Sequence, residues 1–274
     1  MTKDFYNKVY HAEHTSKYGG TSEGMPNRTP ILRDKTNKWL EHAGLANCPD
    51  ALVLEIGCGM AYLSDIHPGW HGAEYSKTAV ERVKEQKGPH VRIFEADAQD
   101  LPFENDQFDG IFTWAALEHV PDPNKAFQEI DRVLRGGGYA LIAPAWNCRS
   151  WTTKKLEDRS YRELRLAERV EKTMIPLLEL FWVRALVALP KRLLGEVRMY
   201  FRKPIALRFK QLSPRWDLIE KFGHVSDDDA VADIDPHAAV CFFKTREYEV
   251  LSHKTLFSRL LIRHEPVIVK KPKA

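Results

Sequence analysis

The chain holds 274 residues, 43% of them hydrophobic and 29% charged, with a formal charge of +3 from 41 basic and 38 acidic side chains. That composition can bury one large core or two small ones, and it excludes a disordered chain and a surface built throughout for nucleic acid, which needs basic excess everywhere. Residues 1–150 carry 16 basic and 21 acidic side chains against 25 and 17 in residues 151–274, so any polyanion contact belongs to the second half.

In chain order, the opening MTKDFYNKVYHAEHTSKYGG is polar and lacks the apolar centre of a signal peptide. The scattered Cys48, Cys58, Cys148 and Cys241 form no CxxC pair and fit a reducing interior, so a cytoplasmic location is expected. The pairs His11 with His14 and His67 with His71 have no thiol or third histidine near them in sequence and read as surface. Residues 34–43 predict a helix, and ALVLEI (51–56) predicts a buried strand that runs into Gly57-Cys58-Gly59 and then a helix. Further strands are expected at 70–75, 91–96, 110–114 and 139–144. Helices are expected at 77–87 and 123–135, the latter stopped by Gly136, Gly137 and Gly138. This alternation predicts βαβ units on a parallel sheet.

After Cys148 the patterns turn helical as far as residue 215: a charged segment (154–172), an apolar one (174–189) and, beyond Pro190, an amphipathic one. In the last, Leu193, Leu194, Val197, Tyr200 and Phe201 oppose Lys191, Arg192, Arg198, Arg202 and Lys203. Met174 to Pro190 is interrupted by Glu179 and Arg184 and makes a poor membrane span. An acidic loop (224–237), a helix (236–245) and strands near 248–253 and 266–270 restore the mixed pattern. The expected division is a core with N-terminal helices (1–150), a helical basic insertion (151–223), and a segment completing the core (224–274).

The glycine loop lets the backbone pass close beneath a ligand, but read as G-x-G-x-x-G its third position is Tyr62, which weakens a nicotinamide reading. VLEIGCGMAYLS (53–64) resembles instead the first motif of the class I S-adenosylmethionine-dependent methyltransferases, with Glu55, Gly57 and Gly59 in place and Ala61 standing for the last glycine. Later segments extend the resemblance over about 51–144: Glu74-Tyr75 after the second strand, Asp97-Ala98 with Leu101-Pro102-Phe103 and Phe108-Asp109, and RVLRGGG before the fifth strand. The resemblance implies a Rossmann-like α/β fold with a seven-stranded, mostly parallel sheet, helices on both faces and a helical insertion after the fifth strand. It also implies S-adenosyl-L-methionine as cofactor, held by Glu55, Gly57, Cys58 and Gly59, with Glu74 on the ribose, Tyr75 on the adenine, and Asp97 and Ala98 reading the base edge. Trp114 is expected as a wall near the sulfonium or as packing beneath the cofactor.

Thr113-Trp114-Ala115-Ala116 stands where amino methyltransferases carry Asn/Asp-Pro-Pro-Tyr/Phe, so transfer to oxygen or carbon is favoured. An alcohol acceptor needs a base, and His119 leads His224 and His237 because it follows the fourth strand. No metal is expected, although Asp227, Asp228, Asp229 and Asp235 form an oxygen-rich run; Asp235-Pro236 reads as a helix cap. The expected acceptor is a small molecule, a glycan or a lipid-linked compound. The insertion is expected as a lid, its apolar face on the pocket and its basic face in water, or as a peripheral membrane contact through 181–210, where eight side chains are basic and one is acidic. No nucleic acid partner is expected; an RNA acceptor and cofactor binding without catalysis are the alternatives.

Overall fold

The computed structural model describes residues 2–10, 24–201, 203–224 and 227–273; His11 and His14 lie outside them. The apolar runs between the helices become five parallel strands: β1 (Val53–Ile56), β2 (Trp70–Glu74), β3 (Ile93–Glu95), β4 (Phe108–Trp114) and β5 (Leu134–Ala143). Two chain-terminal strands, β8 (Glu249–Val250) and β9 (Val267–Lys270), complete a seven-stranded sheet in the order β3-β2-β1-β4-β5-β9-β8, with β9 antiparallel to β5 and to β8. The strand order reverses between β1 and β4, and a crevice opens beyond their carboxyl ends. Every residue of β1 is buried, as a central parallel strand covered on both faces requires.

Helix α1 (Thr2–Val9) and helix α2 (Gly24–His42) precede the sheet, and α3 (Lys77–Lys87) and α4 (Pro123–Val133) follow β2 and β4. Ser76 caps α3 through the Ala79 N–H, and Asp122 caps α4 with Pro123 in its first turn. The buried Ala126, Phe127, Ile130 and Val133 give α4 one apolar face toward the sheet. The three glycines expected to stop this helix lie inside β5 instead. A Cβ on Gly138 would stand 2.8 Å from Leu134 Cδ1 and 2.9 Å from the Asp109 carbonyl, so glycine there serves strand packing. The helix expected after Gly59 is a series of turns, in which Ala61, Ser64 and Ile66 N–H groups reach back three residues.

The insertion holds α5 (Ser150–Thr153), α6 (Leu166–Leu178), α7 (Phe181–Tyr200), the strand β6 (Phe209–Gln211) and α8 (Trp216–Phe222). Two expectations change here. Helix α7 continues through Pro190, and the break falls at Glu179–Leu180, where α6 and α7 bend by 100°. The stretch is also not wholly helical, because β6 pairs antiparallel with β7 (Ala232–Ile234); three-residue strands are too short to show a period of two. Helices α9 (Pro236–Lys244) and α10 (Leu256–Leu260) complete the described α-helices, beside short 3-10 turns at Leu117–His119 and Tyr161–Glu163. His67 and His71 are buried rather than at the surface: His67 bonds the Leu45 carbonyl and the Gly69 N–H, and His71 stacks on Phe94.

Candidate active site

A cavity of about 360 Å³ occupies the crevice beyond β1, β2 and β4. Its floor is the glycine loop. Gly57 and Gly59 have φ of +73° and +51°, and added Cβ atoms would come 2.3 Å from Ala116 Cβ and 2.9 Å from the Tyr10 hydroxyl. Positive φ favours glycine at both positions, and at Gly57 the approach of Ala116 leaves no room for a Cβ. Ala115, at the end of β4, has φ of +45°, a strained value for a residue with a side chain; it turns the chain so that Ala116 to His119 line the cavity.

The sequence-predicted cofactor residues come together on this wall. Glu74, at the end of β2, accepts bonds from the Gly59 N–H at 2.9 Å and the Ser76 N–H at 2.8 Å, tying the second strand to the loop. Glu55 accepts from the Trp70 indole N–H at 2.9 Å, and burial pushes its carboxyl up to about 8 although that bond and the Lys87 ammonium pull it down. Asp97 accepts from the Gln99 backbone N–H and side-chain amide at 2.9–3.1 Å. Tyr75 and Ala98 line the cavity, as does Cys58, a buried thiol held well above its usual pKa by burial. Trp114 lines the cavity and also belongs to a buried core cluster, and its N–H donates to Thr36 at 3.1 Å.

Opposite the loop stands a charged cluster. His119 Nδ1 lies 3.4 Å from Asp229 Oδ2 and its Nε2 3.5 Å from Glu118 Oε1. Asp229 also accepts from the Tyr6 hydroxyl at 2.8 Å, and its other oxygen faces His224 Nε2 at 3.1 Å. Burial disfavours the imidazolium, but Asp229, Glu118 and Asp227 outweigh it and raise the His119 pKa above 6.5. Burial likewise opposes the Asp229 carboxylate, yet His119, His224 and Tyr6 hold it far below the usual range. Glu118 is fully buried and moves the other way, to about 7, because desolvation exceeds the help of His119.

His237 does not join this group. It sits in the first turn of α9 and pairs with Glu196 at 3.0 Å, away from the cavity lining. Asp235 likewise caps α9 and pairs with Arg192, so it is apart from the acidic cluster. His224, Asp228 and Asp229 present ligand atoms within 4.8 Å of one another and could hold a metal ion, but the Lys155 ammonium already lies 2.6 Å from Asp228. No residue of α6 or α7 lines the cavity. Tyr6 and Tyr10 in and after α1, and Thr29 and Leu32 on α2, cover it instead, which corrects the expectation that the insertion's apolar face does so. Tyr6, Tyr10, Glu118 and the pairing role of Asp229 are what sequence reading missed; only the Glu118-His119 adjacency hinted at it.

A nucleoside sulfonium fits this site. The carboxylates at the strand ends are acceptors for hydroxyl and amino groups, and Tyr75, Ala98 and Trp114 offer flat or apolar surface. Residues 54–142 match the family described as a methyltransferase domain. The chain is 31% identical to phosphoethanolamine N-methyltransferase 2 of Caenorhabditis elegans, over 34% of this chain and 24% of that protein. It is 32% identical to an O-methyltransferase of Aspergillus sclerotiorum, over 37% and 42%. It is 26% identical to the phthiotriol/phenolphthiotriol dimycocerosates methyltransferase of Mycobacterium leprae, over 58% and 63%. The chain thus spans less than two thirds of the length of these relatives.

Proposed function

We propose that this chain, a class I S-adenosylmethionine-dependent methyltransferase by its domain, methylates an oxygen of a small-molecule or lipid-linked acceptor, with His119 as general base. The observation that carries this reading is the His119 imidazole, held on the cavity wall between Asp229 and Glu118. When bound, S-adenosylmethionine supplies an electrophilic methyl group whose bond to sulfur breaks with its electron pair left on sulfur. Glu55, Glu74, Asp97 and the glycine loop would hold the nucleoside, and Trp114 would cover the reacting end. Neutral His119 takes the acceptor hydroxyl proton, and Asp229 stabilises the imidazolium that results. Tyr6 and His224 fix the Asp229 carboxylate through its two oxygens. Two relatives support the acceptor class: one is named as an O-methyltransferase, and the other as a phthiotriol/phenolphthiotriol dimycocerosates methyltransferase.

The test is a panel of a phenol, a prenylated hydroquinone, phosphoethanolamine and a glycan, offered with methyl-labelled cofactor to the native chain and to His119→Asn. Oxygen-linked label in the phenol or hydroquinone is expected, with kcat lowered by about 10²–10⁴ in the variant and S-adenosylhomocysteine affinity retained. Label in phosphoethanolamine alone, or an unchanged kcat in the variant, defeats the reading.

A further inference from the structure

Helix α7 is built inside out. Its inward side carries Arg192, Gly195 and Glu196, and each has a partner in the fold. Arg192 is buried and donates to Asp235 at 2.9 and 3.2 Å and to the Leu260 carbonyl at 2.7 Å. Glu196 accepts from Arg259 at 2.7 and 2.8 Å and faces His237 at 3.0 Å. Gly195 lets the helix close on α9, since a Cβ there would stand 2.8 Å from the His237 ring. With its polar residues spent inward, the helix turns apolar ones to solvent. Trp182, Leu186, Leu193, Val197 and Tyr200 recur at helical spacing along the outer side, with Trp182 72% and Tyr200 88% exposed.

The concentration is specific to this region. Of 18 exposed large hydrophobics among the described residues, 13 lie between Leu166 and Phe201, far more than the scattered single exposures of an ordinary surface. Lys191 and Arg198, seven residues apart and so on one side of the helix, lie beside the exposed Val187 and Leu194, while Arg184 is largely covered and pairs with Glu179 at 3.4 Å; Glu196, the one acid of the helix, is turned inward and neutralised. No single described helix is long and apolar enough to cross a membrane; α6 and α7 reach that length and apolarity only together, across their 100° bend, and a helix with polar residues bound inward and an apolar outer side is built to lie in the plane of an interface.

We propose that the outer face of α7 docks the protein on an anionic lipid surface, apolar side chains entering the headgroup boundary and the Lys191 and Arg198 side chains meeting lipid phosphates. The charge pattern selects this occupant over a second copy of the chain, because a symmetric contact would set these like charges against each other, whereas phosphates complement them. The docking is independent of the methyl-transfer chemistry.

Cosedimentation of the full chain with vesicles tests it. Pelleting is expected with phosphatidylcholine mixed with phosphatidylglycerol and not with phosphatidylcholine alone, weakening as salt rises. The double variant Trp182→Asp with Val197→Asp should lose about tenfold or more of vesicle affinity while keeping S-adenosylhomocysteine affinity. Hydrogen exchange on the native chain is a second readout that needs no variant: residues 181–201 should gain protection when vesicles are added. Absence of pelleting on anionic vesicles at low salt, protection confined to other segments, or a concentration-dependent dimer that the double variant abolishes overturns the proposal.

Discussion

The cofactor crevice and helix α7 depart from the usual partition of side chains in opposite directions. The crevice buries charge: Glu55, Glu74, Glu118 and Asp229 are all buried at the ends of β1, β2 and β4 or on the loop facing them. Helix α7 exposes apolar surface and buries Arg192. Each departure costs stability, since a desolvated carboxylate and a hydrated indole are both unfavourable, so each marks a place where a ligand is expected to settle the account. In the crevice Glu74 is bonded to two backbone N–H groups and Asp229 to the Tyr6 hydroxyl, and the backbone is set by positive-φ residues, as a pre-shaped site requires. The outer side of α7 has no such cross-bonding, which suits a surface that is recognised by area and charge.

The sharpest way to break this contrast is Glu74→Ala. It removes the acceptor of two backbone N–H groups, each charge-assisted bond being worth about 1.5–3 kcal/mol, and frees the glycine loop from β2. Affinity for S-adenosylhomocysteine, read by calorimetry, should fall by about 100-fold or more. Trp182→Ala, equally drastic in volume, should leave that affinity unchanged. Equal losses in the two variants would mean that the regions are not separable.

How legible these regions were follows from how locally each is encoded. The sheet could be read because its five parallel strands are short apolar runs punctuated by glycine and capped helices, and the Glu55, Glu74 and Asp97 positions because each lies at a strand end on one edge of that sheet. His119 could be placed, but the residues that tune it could not: Tyr6 and Asp229 lie 223 positions apart, and only the folded chain sets them 2.8 Å from each other. The amphipathicity of α7 was visible while its direction was not. Periodicity reports that two faces differ, not which of them meets the protein, and here Asp235 and Arg259 claim the polar one.

A smaller effect sharpens the electrostatic half of the contrast. His119 serves as base when neutral, and the surrounding carboxylates raise its pKa, so the rate should climb as pH rises through a value above 6.5. Asp229→Asn removes the largest of those raising charges, so the apparent pKa must fall and the rising limb must move to lower pH. The plateau should drop by about 10- to 100-fold, since the ring loses its anchor and its imidazolium a counter-charge. A limb that stays in place, or moves to higher pH, would assign the titration to another group, with Glu118 near 7 the first alternative.

The smallest expected effect concerns Ala61, which stands where the related motif has glycine and adopts φ of +53°. A left-handed conformation costs a residue with a Cβ about 1–2 kcal/mol, so replacement by glycine relieves strain. Against this, Ala61 is fully buried, and its methyl contributes roughly 0.8 kcal/mol. Glycine would further enlarge the unfolded ensemble at about 0.4–1 kcal/mol. The terms nearly cancel, so Ala61→Gly should change unfolding stability by less than about 0.5 kcal/mol in denaturant titrations, whereas Ala61→Val, β-branched at positive φ, should cost several-fold more. That balance accounts for alanine at this turn: the strain it brings is matched by what its methyl returns. A gain above about 1 kcal/mol for glycine would show that strain dominates here, and that the loop holds stored energy the cofactor would release.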